Sequence, residues 1–159
     1  MAEPAGAAAE IAEAATVGAV LTVLRMSRVM ERIDAGVSPQ QYRMLKLIGA
    51  GGERSARLAE RLTVAKPTLT SIADSLVGAG LVCREAEPGD RRVVRLHLTE
   101  PGRAAVARAD EAYAGWLDDL LEHTGRKDQI LASLQLLDES MTERRRARRP
   151  AGGTSAGQQ

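Results

Sequence analysis

The chain has 159 residues, 44% of them apolar and 27% charged, with a formal net charge of +1 at pH 7. That length fits one domain, or one domain with added oligomerisation helices, and the apolar share is enough for a globular core. One cysteine excludes an internal disulfide, and no apolar run approaches the roughly 18 residues of a membrane-spanning helix. The opening stretch MAEPAGAAAEIAEAA is acidic and lacks a basic segment, which argues against a secretory leader. A soluble, cytoplasmic protein is the expectation. Phe is absent, and Tyr42, Tyr113 and Trp116 are the aromatic residues, so packing must rely on Leu, Val, Ile, Met and Ala.

In chain order, Ala9 to about Asp34 has helical character. Val17, Leu21 and Leu24 fall on one face, and Val20, Val23, Met30 and Ile33 widen the apolar surface. Ser38-Pro39-Gln40-Gln41 is a helix start, with Ser as N-cap, Pro at the first helical position and Gln three residues past the cap. Tyr42, Leu45, Leu47 and Ile48 give that helix its apolar face, and Gly49-Ala50-Gly51-Gly52 stops it. The Gly-rich GAGGE at 49–53 is not a phosphate loop, because no strand precedes it and no Lys-Ser/Thr follows. A further helix covers about Ser55 to Leu62, with Leu58, Ala59 and Leu62 inward. After the turn Thr63-Val64-Ala65, another runs from about Lys66 to Val77. Its inward residues are Leu69, Ile72, Ala73 and Leu76, and Gly78-Ala79-Gly80 closes it.

Leu81 to Glu85 and Val93 to Leu98 are short aliphatic and β-branched runs interrupted by Pro88-Gly89, which predicts a hairpin. In the second run Val94, Leu96 and Leu98 alternate with Val93, Arg95 and His97, so one face is covered. The tip carries Asp90-Arg91-Arg92. A thin finger tipped with Arg suits a minor groove, where negative potential is concentrated, whereas a charged turn taken alone is usually only solvated. Helix, short turn, helix and hairpin make a winged helix-turn-helix, and the second helix of the pair should lie in a major groove. The predicted fold is mainly α with a small β-hairpin wing.

Thr99 is the expected N-cap of a long helix reaching about His123 and lined by Ala105, Ala109, Ala112, Trp116, Leu120 and Leu121. Gly125 breaks the chain. Asp128 to about Arg148 is helical again, with Ile130, Leu131, Leu134, Leu137 and Met141 at helical spacing. The expected organisation is an N-terminal dimerisation helix (1–36), a winged reading head (37–98), C-terminal dimerisation helices (99–148) and a disordered tail (149–159). The small head cannot cover all three flanking amphipathic helices, so pairing with a second copy is expected. Net charge by segment is −2 over 1–36, +4 over 37–98, −6 over 99–143 and +5 over 144–159. Screening acts over about 8–10 Å, so a basic head on an acidic body matters more than the total. The run from Arg144 to Arg149 reads either as a solvated helix end favoured by the helix dipole or as a DNA contact.

Three ordered pieces, QYRMLKLI, RSARLAERLTVAKPTLTSIADSLVGAGLVCRE and PGDRRVVRLHLTEPGR, resemble the DNA-binding core of the MarR (multiple antibiotic resistance regulator) family over Gln41 to Gly102. Asp90 and Arg92, followed by Leu98-Thr99 and Gly102, form the most specific part of the match. The resemblance implies a transcriptional regulator, most often a repressor. It would bind a pseudo-palindromic double-stranded operator as a homodimer and release it on binding a small aromatic or phenolic ligand, with the pocket near the helices holding Tyr42 and Tyr113.

Candidate DNA-binding residues follow from both readings. Lys66, Thr68, Thr70 and Ser71 are the outward positions near the start of the recognition helix, and Pro67 is tolerated in its first turn. By resemblance, Pro67, Thr68, Thr70 and Ser71 occupy base-reading positions. The chain departs from the family at Ser71, often Arg, and at Ala65, commonly a Ser that caps the helix. Arg92 is expected in the minor groove, Asp90 to orient it by a charge-assisted hydrogen bond, and Arg91 to meet a phosphate. Arg43, Arg54, Ser55 and Arg57 are further phosphate candidates. Cys83 reads as a buried small hydrophobe. His97 and His123 stand apart from any Cys or carboxylate cluster, so no metal or other cofactor is expected, and no nucleophile–base pair suggests an enzyme. The rival readings are a ligand-independent DNA-binding protein and a protein-interaction module built on the winged fold.

Overall fold

The computed structural model describes residues 4–51, 58, 61–62, 64–87 and 90–147. In chain order the elements are α1 (Pro4–Met30), α2 (Pro39–Gly49), α3 (Lys66–Gly78), β1 (Val82–Glu87), β2 (Asp90–Leu98), α4 (Glu100–Glu122) and α5 (Lys127–Ala147). Between α2 and α3, Leu58, Arg61 and Leu62 are helical, as expected. The rest of that segment and the expected tail at 149–159 lie outside the described residues. The chain divides into two compact units, Met1–Ala114 and Gly115–Gln159.

Local chemistry sets the boundaries of α2. Ser38 Oγ accepts from Gln41 N at 3.2 Å while Gln41 Oε1 accepts from Ser38 N at 2.9 Å. This reciprocal capping box, with Pro39 opening the first turn, satisfies two backbone donors that would otherwise lack partners. Helix α3 starts without such help, because Ala65 at its N-cap has no side-chain acceptor. At its other end Gly80 takes φ +69 and Leu81 N bonds to Leu76 O at 3.0 Å, turning the chain directly into β1.

The hairpin is longer than its aliphatic runs suggested. Backbone pairing does not require apolar side chains, so β1 continues to Glu87 and β2 begins at Asp90. Asp90, Arg91 and Arg92 are therefore strand residues, not turn residues. Pairing is antiparallel, from Val82 opposite Leu98 to Ala86 opposite Val94; the next pair is Glu87 with Asp90. The register shift falls on residues 91–93, the kind of irregularity that re-aims side chains at a strand end. Cys83 is exposed rather than buried, its Sγ 3.6 Å from His97 O. Val82 takes the covered face, and its strand neighbour must take the other.

Within the first unit, one aliphatic cluster joins Met44, Leu45 and Ile48 of α2, Leu58 and Leu62, Leu69, Ala73 and Leu76 of α3, and Val82 and Leu96 of the hairpin. A smaller cluster of Ala35, Ala109 and Tyr113 packs with Met30, Ile33, Val37 and Tyr42. A polar joint fastens the start of α4 to the α3–β1 turn. Thr99 Oγ1 donates to Gly80 O at 2.6 Å and accepts from Gly102 N at 3.1 Å, and Thr99 N donates to Leu81 O at 3.1 Å. The same hydroxyl thus caps α4 and holds the α3–β1 turn. The second unit is closed at Gly125 (φ +63), where Lys127 Nζ bridges Asp118 and Glu122, each at 3.1 Å.

A Cβ at position 102 would stand 2.0 Å from Leu81 O, a backbone atom that cannot swing aside. Gly102→Ala is expected to cost on the order of 3 kcal/mol of stability. Gly115→Ala, which meets nothing within 4 Å inside the same helix, should instead gain up to about 1 kcal/mol. Urea denaturation of both variants checks the pair, and an unimpaired Gly102→Ala contradicts the joint.

Candidate nucleic-acid interface

Helix α3 presents a polar face at its start. Lys66, Pro67, Thr68, Thr70 and Ser71 are exposed while Leu69 between them is buried, as the 3.6-residue period requires. Thr70 Oγ1 donates to Lys66 O at 3.1 Å, which leaves its oxygen as an acceptor and its methyl for apolar contact. Unpaired backbone N–H groups and the helix dipole make such a terminus attractive to phosphate. Pro67, Thr70, Ser71 and Asp74 are spaced i, i+3, i+4 and i+7, so one stripe carries three candidate readers and a carboxylate.

Asp74 is not bare. Arg84 Nη2 of β1 donates to its Oδ1, joining the recognition helix to the first wing strand. The adjacent Ser75 Oγ accepts from Gln41 Nε2 at 3.2 Å. The amide of Gln41 therefore caps α2 through its oxygen and reaches α3 through its nitrogen. On the hairpin, His97 Nε2 lies 3.3 Å from Glu85 Oε2. Arg43 is exposed on α2, with no hydrogen bond or ion pair to the described residues. Asp90, Arg91 and Arg92 have their backbone in β2, but their side chains lie outside the described part of the structure, as do Arg54, Ser55 and Arg57 entirely. Among the described residues no group of His, Cys, Asp and Glu side chains is arranged to hold a metal ion. Nor is any described helix long and apolar enough to cross a membrane.

Sequence reasoning missed a second cluster. Tyr42 Oη of α2 donates to Asp110 Oδ1 of α4 at 2.5 Å, and Lys46 Nζ lies 3.0 Å from the same carboxylate. The Tyr113 ring sits 5.0 Å from that of Tyr42, tilted by 47°, and its hydroxyl donates to Val37 O at 3.1 Å. Burial, then the Asp110 hydrogen bond and charge, push the Tyr42 hydroxyl up to about 12. Burial also raises Tyr113. The hydrogen bond from Tyr42, helped by Lys46 and opposed by partial burial, holds the Asp110 carboxyl below its ordinary value. Tyr42 and Lys46 stand one helical turn apart on α2, which was the available signal; the identity of their carboxylate partner was not local.

A capped helix leading to a second helix with an exposed polar start, followed by a β-hairpin, is a winged helix-turn-helix of the DNA-binding kind. Residues 37–94 match the model of the MarR family. The chain is 33% identical over 129 residues to an HTH-type transcriptional regulator of Mycobacterium tuberculosis, covering 76% of this chain and 90% of the relative. Over 78 residues it is 36% identical to a Thauera aromatica protein assigned to regulation of the hcr operon; that match covers 48% of this chain and about half, 47%, of the relative. Among solved structures it resembles the transcriptional repressor CouR bound to a 23-mer DNA duplex (29% identity, TM-score 0.61, 87% of this chain and 99% of that one). It also resembles NadR in complex with 4-hydroxyphenylacetate (27% identity, TM-score 0.58, 78% and 88%). The chain belongs to the MarR family of DNA-binding transcriptional regulators, and as such is not an enzyme.

The tyrosine pair supplies a direct check. Ultraviolet titration is expected to show both tyrosines ionising above the ordinary value of 10, with Tyr42 near 12. Folded-state values above the unfolded ones mean that this stabilisation is complete below pH 10 and is lost as pH rises towards 12. The contribution of Asp110 has the opposite sense: present at neutral pH, it disappears as pH falls through the acid range below the ordinary Asp value. Asp110→Asn should lower the Tyr42 midpoint yet leave it raised, since burial is the larger cause. A midpoint that does not move argues against the contact.

Proposed function

We propose that two copies of this chain bind one pseudo-palindromic duplex and repress transcription, and that a small aromatic or phenolic molecule releases them. The observation that carries the dimer is the apolar surface that each unit leaves uncovered within itself. In the first unit α1 exposes Val17, Val20, Leu21 and Leu24, each more than half accessible; in the second unit α5 exposes Leu131, Leu134, Leu137 and Met141. Helices of this kind are not left facing water over such lengths, and a second copy supplies a matching apolar face. A two-fold dimer would bring two α3 helices to successive major grooves about 34 Å apart.

On each half-site, Lys66, Pro67, Thr68, Thr70 and Ser71 would face base edges and phosphates. Arg92 would enter the minor groove with Asp90 orienting it. Arg91, Arg43, Arg54, Ser55 and Arg57 would meet the backbone. The CouR complex with a duplex supports the DNA assignment, and the NadR complex supports a phenolic carboxylate as effector. A cavity of about 350 Å³ lined by Leu45, Lys46, Gly49, Ala50, Leu98 and Val106 offers apolar room beside Lys46. A ligand carrying an acidic group would compete with Asp110 for Lys46. It would act by favouring a separation of the two recognition helices that no longer matches the operator.

Selection from a randomised duplex pool, followed by titration at several salt concentrations, tests this reading. Affinity should fall steeply with salt. Arg92→Ala should weaken all sequences by about tenfold or more, whereas Thr70→Ala should reorder preferences among sequences with little change in overall affinity. Light scattering should give a dimer, and 4-hydroxyphenylacetate or a related phenolic acid should raise the melting temperature. A monomer in solution, or indifference to duplex DNA at low salt, overturns the proposal.

A further inference from the structure

We infer that Asp74 and Arg84 are positioning residues for DNA binding: their ion pair holds the wing at a set offset from the recognition helix and screens a carboxylate that lies on the reading stripe. The inference rests on α3 being that helix. Asp74 continues the line of Pro67, Thr70 and Ser71 toward the helix C-terminus, so an unpaired carboxylate there would repel the phosphates that the stripe approaches. Arg84 comes from β1, opposite Leu96 and two residues from Val82, both of which are in the aliphatic cluster. Its backbone cannot shift without disturbing that cluster, so the guanidinium ties Asp74 to a fixed frame. One residue further along α3, Ser75 is held from the other side by Gln41. The C-terminal half of α3 is thus fastened to β1 and to α2 through neighbouring residues. Both members of the pair are about half exposed, 47% and 56%, so its contribution to folding is small and its variants should fold.

Simple electrostatics predicts that removing an acidic group next to DNA tightens binding; a positioning role predicts the reverse. The experiment uses the full chain and the duplex that the parent selects, with Asp74→Ala, Arg84→Ala, the double variant and Asp74→Glu, each confirmed folded by circular dichroism. The two single variants should each weaken binding about tenfold, and the double variant should be no weaker than either. Asp74→Glu, which keeps a carboxylate within reach of Arg84, should bind close to the parent. The slope of log affinity against log salt should stay at the parent value in Arg84→Ala, whereas loss of a direct phosphate contact would reduce it by about one. Asp74→Ala binding as tightly as the parent or tighter, additive losses in the double variant, or a reduced slope in Arg84→Ala overturns the inference while leaving DNA binding intact. A parent that selects no duplex overturns both.

Discussion

Burial of one aliphatic cluster is the condition on which the reading head depends. Met44 and Leu45 of α2, Leu58, Leu76 of α3 and Leu96 of β2 are all essentially inaccessible to water. Each buried Leu or Met contributes about 1.5–3 kcal/mol relative to exposure, and no Phe is present to share that work. Close packing among unbranched and γ-branched chains leaves α2, α3 and the hairpin little freedom to slide. The polar contacts, by contrast, lie at the edges. Gln41 with Ser75, Arg84 with Asp74 and Thr99 with Gly80 each join two elements at a point where the cluster ends. They fix the offsets between elements that apolar burial holds together.

Much of this was legible in the residues themselves, because the signals were local. The start of α2 is written in Ser38-Pro39-Gln40-Gln41, and its capping box needs no partner from elsewhere. The inward set Leu69, Ala73 and Leu76 follows from helical periodicity, and the exposed set Lys66, Pro67, Thr68, Thr70 and Ser71 is its complement. What escaped was non-local. Tyr42 finds Asp110 across 68 positions, and nothing in either segment announces the other. Arg84 reads as an ordinary strand residue until β1 packs on α3. The hairpin ends and the exposure of Cys83 were misjudged for a related reason. Side-chain polarity suggested them, but backbone pairing and the alternation of faces decided them.

The charge distribution gains meaning from these contacts. A net charge of +1 looks poor for a protein that approaches a polyanion. Several acidic groups near the head, however, are already occupied. Asp74 is engaged by Arg84, Asp110 by Tyr42 and Lys46, and Glu100 by Arg103. Arg43 remains without such a partner among the described residues. Each pair silences a carboxylate at its own position and uses one cation to do so, so the surplus of Lys and Arg over residues 37–98 is what is felt within a screening length.

The close approach at Gly102 has a consequence for inheritance. The atom that a side chain there would strike is the carbonyl oxygen of Leu81, and every amino acid at position 81 carries the same carbonyl. A damaging change at 102 therefore has no direct suppressor at its point of collision. Replacing Leu81 with a smaller residue vacates space on the wrong side of the chain. Revertants recovered in a genetic screen should restore glycine itself, or else compensate by strengthening the fold at a distance.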